Sequence, residues 1–272
     1  MLRNRSLSWG KTPLRVGLIG YGAIGQEVSH LLAEQAATDI IIVGALVRHS
    51  MAPRPAGSPT IVATLSALLA QEPHVIVEVA GQEGLREHGP GVLRAGVDLL
   101  FVSVGALAEQ ETLNDLLTAA QSGNAQAKVV SGAIGALDAL AAASLGELRR
   151  VVHTMRRIPT SLLSVEEAAR LTAPYEVFRG TARQAAHQFP EFLNVAAAVA
   201  LASKGLDQTE VCVVADPAVK HSIHEVLAEG TFGVLRFEIE NAPMHLSARG
   251  ARLVAMSVVH TLQQRSAYLM IG

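Results

Sequence analysis

A glycine-rich turn near the start of the chain restricts the fold more than any other feature. The turn reads GYGAIG at residues 20–25 and directly follows a short apolar run, LRVGLI, at residues 14–19. Behind it, apolar side chains recur at helical spacing and predict an amphipathic helix; they are Ile24, Val28, Leu31 and Leu32. A strand, a G-x-G-x-x-G turn and a helix in this order are typical of a dinucleotide-binding Rossmann domain.

Each glycine of the turn meets a separate physical requirement. Gly20 permits the tight turn, Gly22 lets the backbone approach a pyrophosphate, and Gly25 lets the helix pack closely on the strand. The first N–H groups of the helix then face the anion. We therefore expect the cofactor to contact Gly20, Gly22, Ala23, Ile24 and Gly25. In the alternative interpretation, the glycines only shape a turn.

The end of the second predicted strand bears on which dinucleotide is bound. NAD-specific domains usually carry an Asp or Glu about 20 residues after the turn, where it holds the ribose 2′-hydroxyl. Here residues 44–50 read GALVRHS and contain no carboxylate. Arg48 and Ser50 could instead accept a 2′-phosphate, although Arg48 could equally be a solvated loop charge. We expect NAD or NADP as cofactor, with NADP accepted.

The pattern of apolar runs divides the chain into two parts. Residues 14–130 alternate short apolar runs with helical stretches, which predicts an α/β doubly wound parallel sheet with helices on both faces. After Gly132 the pattern favours a smaller, antiparallel α+β domain, with two strands over residues 222–240 joined through residues 230–233. The predicted domains are a Rossmann domain at residues 1–132 and a catalytic and dimerisation domain at residues 133–247. A helix at about residues 248–272 is expected to pack back on the first.

Composition excludes several classes of protein. Of 272 residues, 50% are hydrophobic and 17% are charged, which excludes a disordered chain. The net charge of −2 makes nucleic acid an unlikely partner. The apolar runs are too short to span a membrane, and we find no secretory signal. Cys212 is the only cysteine, so no intramolecular disulfide or CxxC site forms. We expect a cytoplasmic protein without a metal site.

A nicotinamide enzyme also needs a group that can donate or accept a proton, and histidine suits this role. Of the ten histidines, His221 and His224 stand out because they follow the sequence ADP at the end of a predicted strand in the second domain. In an extended segment His224 shares a face with Val226 and Ala228. Apolar surroundings would keep its imidazole uncharged and available as a base. Alternatively, His224 is a core histidine that is satisfied by a backbone carbonyl.

Several longer segments resemble one family, the L-aspartate dehydrogenases. They are GLIGYGAIG, HGPGVLRAGVDLLFVSVGALAE, SGAIGALDAL, FPEFLNVAAAVALAS and ADPAVKHSIHEV, and together they cover nearly the whole chain. The resemblance implies a Rossmann domain followed by a smaller domain that carries the active site and the contact of a homodimer. It also implies the oxidative deamination of aspartate with NAD or NADP.

The resemblance assigns roles to three residues. The family's catalytic histidine falls on His224, which is followed by Glu225 as in the family pattern. A cofactor-contacting alanine falls on Ala133 within SGAIG, and a cofactor-contacting asparagine falls on Asn194 within LNVAAA. An asparagine near the start of a helix is also often a cap, and this remains the alternative for Asn194.

The chain departs from the family pattern at four places. The family has asparagine where Phe192 and Ser222 stand here, and its arginine-lysine-proline-proline run reads RRIP at residues 156–159. Its Asn-Pro-Lys-Thr-Ser segment is replaced at residues 246–251, which begin with Leu246. These segments are candidates for holding substrate carboxylates, since Arg clamps bind carboxylates well. The cationic candidates are Arg156, Arg157, Arg179, Arg183, Lys204, Lys220 and Arg249.

The implied reaction removes hydride from the α-carbon of aspartate, and water converts the resulting imine to a keto acid and ammonia. His224 would activate that water, and the imine could feed NAD biosynthesis. Three alternatives remain. One is a dihydrodipicolinate reductase-like enzyme, whose histidine-pair and lysine motif is absent here. The others are an imine or keto-acid reductase with a different substrate and a non-catalytic dinucleotide-binding protein.

Overall fold

The computed structural model describes residues 12–35, 37–48, 57–189, 194–244 and 247–270, with the backbone alone at residues 243–244 and 247–251. Contacts divide this part of the chain into two compact units. The first unit contains the described residues up to Val130 together with those from Val254 onward, and the second unit is Ser131–Leu253.

The first unit is built on a parallel sheet. Its strands are β1 (Leu14–Ile19), β2 (Ile40–Leu46), β3 (Ile61–Val62), β4 (Val75–Glu78), β5 (Asp98–Phe101) and β6 (Ala127–Val129). They are ordered β3-β2-β1-β4-β5-β6, and every neighbouring pair is parallel. This confirms the predicted Rossmann sheet. The strand order reverses between β1 and β4, which is where a ligand crevice forms in open α/β sheets.

Helices connect these strands, as parallel pairing requires. They are α1 (Ala23–Glu34), α2 (Leu65–Leu69), α3 (Gln82–Arg94) and α4 (Gln110–Gly123). Because helices cover the faces of the sheet, the central strand β4 is buried along its whole length. Helix α1 turns Val28, Leu31 and Leu32 into the core, as the helical spacing predicts.

The second unit contains a mixed sheet. Its strands are β7 (Leu148–Arg157), β8 (Tyr175–Thr181), β9 (Glu210–Ala215), β10 (Ser222–Gly230) and β11 (Gly233–Asn241). The order is β11-β10-β7-β9-β8, and β7 pairs with β9 in parallel. The predicted α+β domain is present, but its expected antiparallel pairing does not extend to this pair. The long segment between the two strands makes it possible, because parallel neighbours need a crossover connection.

The second unit also contains helices, and some of them form a core with this mixed sheet. The helices of the second unit are α5 (Leu137–Ala143), α6 (Val165–Arg170), α7 (Ala182–Gln188) and α8 (Asn194–Leu201). Leu140 of α5 and Val199 of α8 form a core with Val151 of β7 and Val226 of β10. This face of β10 also carries His224, so the packing of the core positions that side chain.

The C-terminal helix, α9 (Arg252–Ser266), follows two short paired strands, β12 (Pro243–Met244) and β13 (Ser247–Ala251). The sequence pattern predicts that this helix begins near residue 248. Residues 247–251 instead form β13, which pairs with β12, and the helix begins at Arg252. Val258, Val259 and Leu262 of α9 are buried in the core of the first unit. Of the helices in the described ranges, none is both long and apolar enough to cross a membrane.

Candidate active site

The turn between β1 and α1 has the shape that a dinucleotide requires. Gly20 has a φ of +93°, and a Cβ atom there would lie 2.8 Å from the Cα of Ala80. A Cβ atom at Gly25 would lie 2.8 Å from the carbonyl oxygen of Gly20. At Gly22, in contrast, a Cβ atom would meet no atom within 4 Å. Gly20 and Gly25 are thus required by packing, whereas Gly22 leaves open space beside the N-terminus of α1.

That open space belongs to a cavity of about 510 Å³ at the carboxyl ends of β1, β2 and β4. This volume is within the range of ligand sites. The walls combine backbone of the turn with polar side chains of α3; among the lining residues are Gly20, Gly22, Val47, Arg48, Ala80 and Glu83. Of the predicted cofactor residues, Gly20, Gly22 and Arg48 line the cavity, while Ala23, Ile24 and Gly25 lie behind the turn and do not.

A buried carboxylate, Glu78 at the end of β4, holds the backbone of the segment that follows, and Ala80 of that segment lines the cavity. Its Oε1 atom accepts hydrogen bonds from the N–H groups of Ala80 at 2.7 Å and Gly81 at 2.8 Å, and from the hydroxyl of Ser103 at 2.9 Å. Burial raises the pKa of Glu78, and these hydrogen bonds oppose the rise. Sequence reasoning missed Glu78, although a single acidic residue within the apolar run HVIVEVAG could have drawn attention to it.

Arg48 follows the end of β2, lines the cavity and forms an ion pair. Its Nη1 atom is 2.8 Å from Oε2 of Glu83 at the start of α3, and both side chains are largely exposed. A 2′-phosphate would therefore have to compete with a carboxylate for Arg48. Ser50, the second candidate for that phosphate, is outside the described residues.

In the second unit, His224 occupies the inward face of β10. Its side chain is only 5% exposed, and Val226 and Ala228 on the same face are also buried. His221 precedes β10 and is exposed. The shared face of His224, Val226 and Ala228 is as the sequence predicts for an extended segment. The partner of His224 is not a backbone carbonyl, as the alternative interpretation would have it, but a second imidazole.

That second imidazole belongs to His153 of β7. Nε2 of His153 lies 3.0 Å from Nδ1 of His224, and the ring planes are inclined by 11°. The two strands are antiparallel neighbours, with Val226 opposite His153 and Met155 opposite His224. Sequence reasoning missed His153, because nothing in a single strand shows which residue a distant strand will bring beside it.

Burial keeps both rings uncharged. It lowers the pKa of His153 well below the ordinary value of 6.5, and proximity to His224 lowers it further. Burial also lowers the pKa of His224 to about 4, with a smaller contribution from the positive charge of Arg157. At neutral pH the pair is therefore neutral, and either ring nitrogen can be a donor or an acceptor depending on the tautomer.

The cationic candidates differ in their surroundings. Arg156 donates to Glu225 at 2.6 Å and lies 3.4 Å from Asp216. Arg157 donates to the hydroxyl of Ser161, and its positive charge adds to the effect of burial in lowering the pKa of His224. The other candidates form contacts elsewhere or lack a described side chain: Arg179 pairs with Glu176 and Glu210, Arg183 with Asp207, Lys204 with the carbonyl of Arg149, Lys220 is exposed, and the side chain of Arg249 is not described.

Ala133 and Asn194 belong to the second unit and do not line the cavity of the first. The carbonyl of Ala133 accepts a hydrogen bond from the side chain of Asn241 at 3.0 Å. Asn194 is the first residue of α8 and is exposed. Ser222 opens β10 opposite Asn241, while Phe192 and Leu246 are outside the described residues. Within the described ranges, no three His, Cys, Asp or Glu side chains could together hold a metal ion.

Comparisons with known proteins relate both units to dehydrogenases. The family described as aspartate dehydrogenase, C-terminal, matches residues 138–265, and the family described as homoserine dehydrogenase, NAD binding domain, matches residues 20–129. The L-aspartate dehydrogenase of Ruegeria pomeroyi is 42% identical over 270 residues, covering 95% of this chain and 96% of that protein. The L-aspartate dehydrogenase of Ralstonia pickettii is 38% identical, covering 93% of this chain and 98% of that protein.

A solved structure agrees with these relatives. The crystal structure of aspartate dehydrogenase from Thermotoga maritima is 25% identical in sequence and superimposes with a TM-score of 0.79. The alignment covers 96% of this chain and 100% of the other. The similarity therefore extends over both units.

Proposed function

Because this chain belongs to the L-aspartate dehydrogenase family, we propose that it oxidises L-aspartate to iminosuccinate, which water then converts to oxaloacetate and ammonia. Members of this family are NAD(P)-dependent oxidoreductases that act on a CH–NH2 group, and this chain is one of them. The α-carbon loses hydride and the amine loses a proton, so that a C=N bond forms; water then adds to that bond and ammonia leaves. The reverse sequence is reductive amination.

One observation carries the proposal beyond family membership. A buried, uncharged imidazole stands at the position to which the family resemblance assigns catalysis, and its Nδ1 atom is held by a second imidazole. The contact with His153 engages only one of the two ring nitrogens of His224. His224 therefore has the chemical character of a group that assists a reaction at neutral pH.

The cavity of the first unit fits a nicotinamide dinucleotide. The open space at Gly22 would accommodate the pyrophosphate beside the N-terminus of α1, where free N–H groups favour an anion. When bound, the dinucleotide supplies the acceptor for the hydride that leaves the substrate. Arg48 would contact the adenosine ribose or its phosphate, and Ala133 and Asn194 are proposed contacts of the second unit. Behind the turn, Ala23, Ile24 and Gly25 would support it.

His224 and Arg157 are proposed to handle the substrate. His224 would assist the addition of water to the imine and, in the opposite direction, its loss. Arg157 is buried enough that its own pKa is lowered, and its planar guanidinium would form a bidentate pair with a substrate carboxylate. The iminosuccinate could also leave before water adds and serve NAD biosynthesis.

We further propose that the enzyme is a homodimer formed through the second unit, as the family resemblance implies. Homodimers pair the same patch of both subunits, and an open sheet face offers such a patch. Light scattering of the purified enzyme should give about twice the mass of one chain; the mass of one chain would refute the dimer.

The reaction is tested by following absorbance of the reduced nicotinamide. We expect reduction of NAD or NADP with L-aspartate, slower reduction with L-glutamate or L-alanine, and oxidation of the reduced cofactor with oxaloacetate and ammonia. Turnover of another amino acid but not aspartate would refute the substrate. Tight cofactor binding without turnover of any dicarboxylic amino acid in either direction would favour a non-catalytic dinucleotide-binding protein.

The role of His224 is tested by its replacement. We expect His224→Ala to lower turnover by at least about 100-fold, because proton-handling groups commonly contribute about 10² to 10⁴ in rate. The dissociation constant of the cofactor, measured by fluorescence of the reduced form, should remain nearly unchanged. His221→Ala is the matched control, since His221 is three residues away and exposed. Retained turnover in His224→Ala would remove His224 from the mechanism.

A further inference from the structure

The contact between His153 and His224 allows two arrangements of protons. A neutral imidazole carries one N–H, and the 3.0 Å contact needs one proton between Nε2 of His153 and Nδ1 of His224. In the first arrangement His153 donates, so the proton of His224 is on its other nitrogen, Nε2. In the second arrangement His224 donates from Nδ1, and its Nε2 atom carries no proton.

The other nitrogen of His153 distinguishes the two arrangements. Among the residues that the structure describes, the buried side-chain nitrogens and oxygens without a hydrogen-bond partner are Nε of Arg86 and Nδ1 of His153. If His153 donates from Nε2, its Nδ1 is a bare acceptor. If His153 accepts at Nε2, its Nδ1 is an N–H enclosed without any acceptor. Buried N–H groups without a partner are rarer in proteins than buried acceptors without one.

The outer nitrogen of His224 is accessible to a ligand. Nε2 of His224 has no hydrogen bond within the described residues, yet it is not one of the fully buried unpartnered atoms. Val226 and Ala228 lie on the same face of β10 as His224 and are buried. The packing of this face therefore restricts movement of the His224 ring. The proton arrangement of the pair therefore decides what a ligand meets at Nε2.

We infer that His153 is a positioning residue that donates its Nε2–H to Nδ1 of His224 and thereby places the proton of the neutral His224 ring on Nε2. The atom presented to the substrate is then a hydrogen-bond donor. It selects an oxygen acceptor, either the carbonyl or hydroxyl oxygen at the reacting carbon or a carboxylate oxygen of the substrate.

This inference makes Nε2 of His224 a hydrogen-bond donor instead of the base expected from the sequence, and it rests on the proposed function in placing His224 beside the substrate. A neutral imidazole that donates an N–H can polarise a carbonyl oxygen without transferring a full proton. In the amination direction His224 would polarise the keto oxygen as ammonia adds to the carbon. The buried His153 would keep the ring in this tautomer through the reaction, since a proton on Nδ1 of His153 would have no acceptor within the described residues.

The tautomer is measured directly on the wild-type enzyme. Long-range ¹H–¹⁵N correlation spectra of enzyme labelled with ¹⁵N-histidine distinguish an Nδ1–H ring from an Nε2–H ring by the shifts of the two nitrogens. The signals of His224 are assigned by their loss in His224→Ala. We expect both His153 and His224 to be Nε2–H rings near neutral pH. An Nδ1–H ring at His224 would overturn the inference, whatever the activity of the enzyme.

Two variants at His153 test the effect on the reaction. His153→Gln keeps an N–H donor near Nδ1 of His224, whereas His153→Phe keeps a ring of similar size without any donor. We expect the Phe variant to lose the single tautomer of His224 and roughly tenfold or more of kcat, with a smaller change in KM. The Gln variant should recover both the tautomer and most of kcat.

The outcomes distinguish the positioning role of His153 from the proposed role of His224 in the reaction. If the Phe and Gln variants have the same kcat and the same His224 tautomer, His153 does not position the ring and the inference is overturned. If His224→Ala is fully active while the tautomer is as expected, the proposed function of His224 fails and the proton assignment stands. Because the decisive spectrum is that of the wild-type enzyme, poor folding of a variant would not obscure the result.

Discussion

At the scale of single residues, burial moves two ionisable groups in opposite directions for the same reason. Glu78 and His153 are both fully enclosed. Burial favours the neutral form of each, so it raises the pKa of the acid and lowers the pKa of the imidazole. The carboxylate of Glu78 accepts hydrogen bonds from several donors, whereas the ring of His153 forms one hydrogen bond within the described residues, to His224. The histidine pair is thus the more sensitive of the two to pH.

This sensitivity predicts how stability depends on pH. The folded pKa of His224 is about 4, below the ordinary 6.5 of an unfolded chain, so the unfolded state binds the extra proton between these values. The contribution of His224 is fully present above about pH 6.5 and falls as the pH decreases toward 4, by roughly 2 kcal/mol at about pH 5. Urea unfolding at about pH 7.5 and pH 5 should show a larger loss in the wild type than in His224→Gln. Equal losses in the two proteins would contradict this assignment.

The pair of Arg48 and Glu83 makes a prediction about cofactor choice. Glu83→Gln should free Arg48 for a 2′-phosphate and shift the ratio of the NAD and NADP dissociation constants toward NADP by about two- to fivefold, the effect expected of an exposed pair. Arg48→Met should shift the ratio the other way. Glu87→Gln is the control, because Glu87 lines the same cavity but is not paired with Arg48. An unchanged ratio in both test variants would exclude Arg48 from cofactor discrimination.

At the scale of elements, two glycines of one turn should respond differently to the same substitution. Gly25→Ala would place a methyl group against the carbonyl of Gly20 and should lower the free energy of unfolding by about 1–3 kcal/mol. Gly22→Ala meets no atom, so its stability should change by less than about 1 kcal/mol. The methyl group of Gly22→Ala would occupy the open space where the pyrophosphate is proposed to bind. The cofactor dissociation constant should therefore rise roughly tenfold or more. Thermal unfolding and cofactor titration measure both effects; equal stability of the two variants would contradict the packing argument.

The elements that the sequence predicts well are those whose signal is local. The turn at residues 20–25, β1 and the apolar face of α1 follow from spacing alone, and the alternation in β11 places Leu235, Phe237 and Ile239 toward the core. The sequence pattern does not predict strand β8. All of its residues are exposed or half-buried, because it lies at the edge of the sheet. Edge strands lack the apolar run that identifies a central strand.

Non-local features of the site could not be predicted in the same way. The parallel pairing of β7 with β9 and the contact of His153 with His224 both depend on the register between distant segments. Periodicity shows which face a residue occupies but not which residue lies opposite. For the same reason, the sequence indicated His224 and its buried face but gave no indication of its partner.

At the scale of the whole molecule, the first unit is completed by the last helix of the chain. Leu262 is fully buried in its core, whereas Met256 of the same helix is 46% exposed. Leu262→Ala should lower the free energy of unfolding by about 2–5 kcal/mol, and Met256→Ala should change it by less than about 0.5 kcal/mol. Urea unfolding measures both. A Leu262→Ala protein as stable as the wild type would show that α9 does not support the dinucleotide-binding unit.

Because α9 packs into the core of the first unit, it also determines when that unit can finish folding during synthesis. Domains generally fold as units while the chain emerges, beginning from the N-terminus. Here the nucleotide-binding unit waits for Val258, Val259 and Leu262, which leave the ribosome after the whole of the second unit. The second unit is contiguous in sequence and can be finished earlier. A chain that ends before these residues would therefore carry a complete second unit beside a first unit that lacks part of its core.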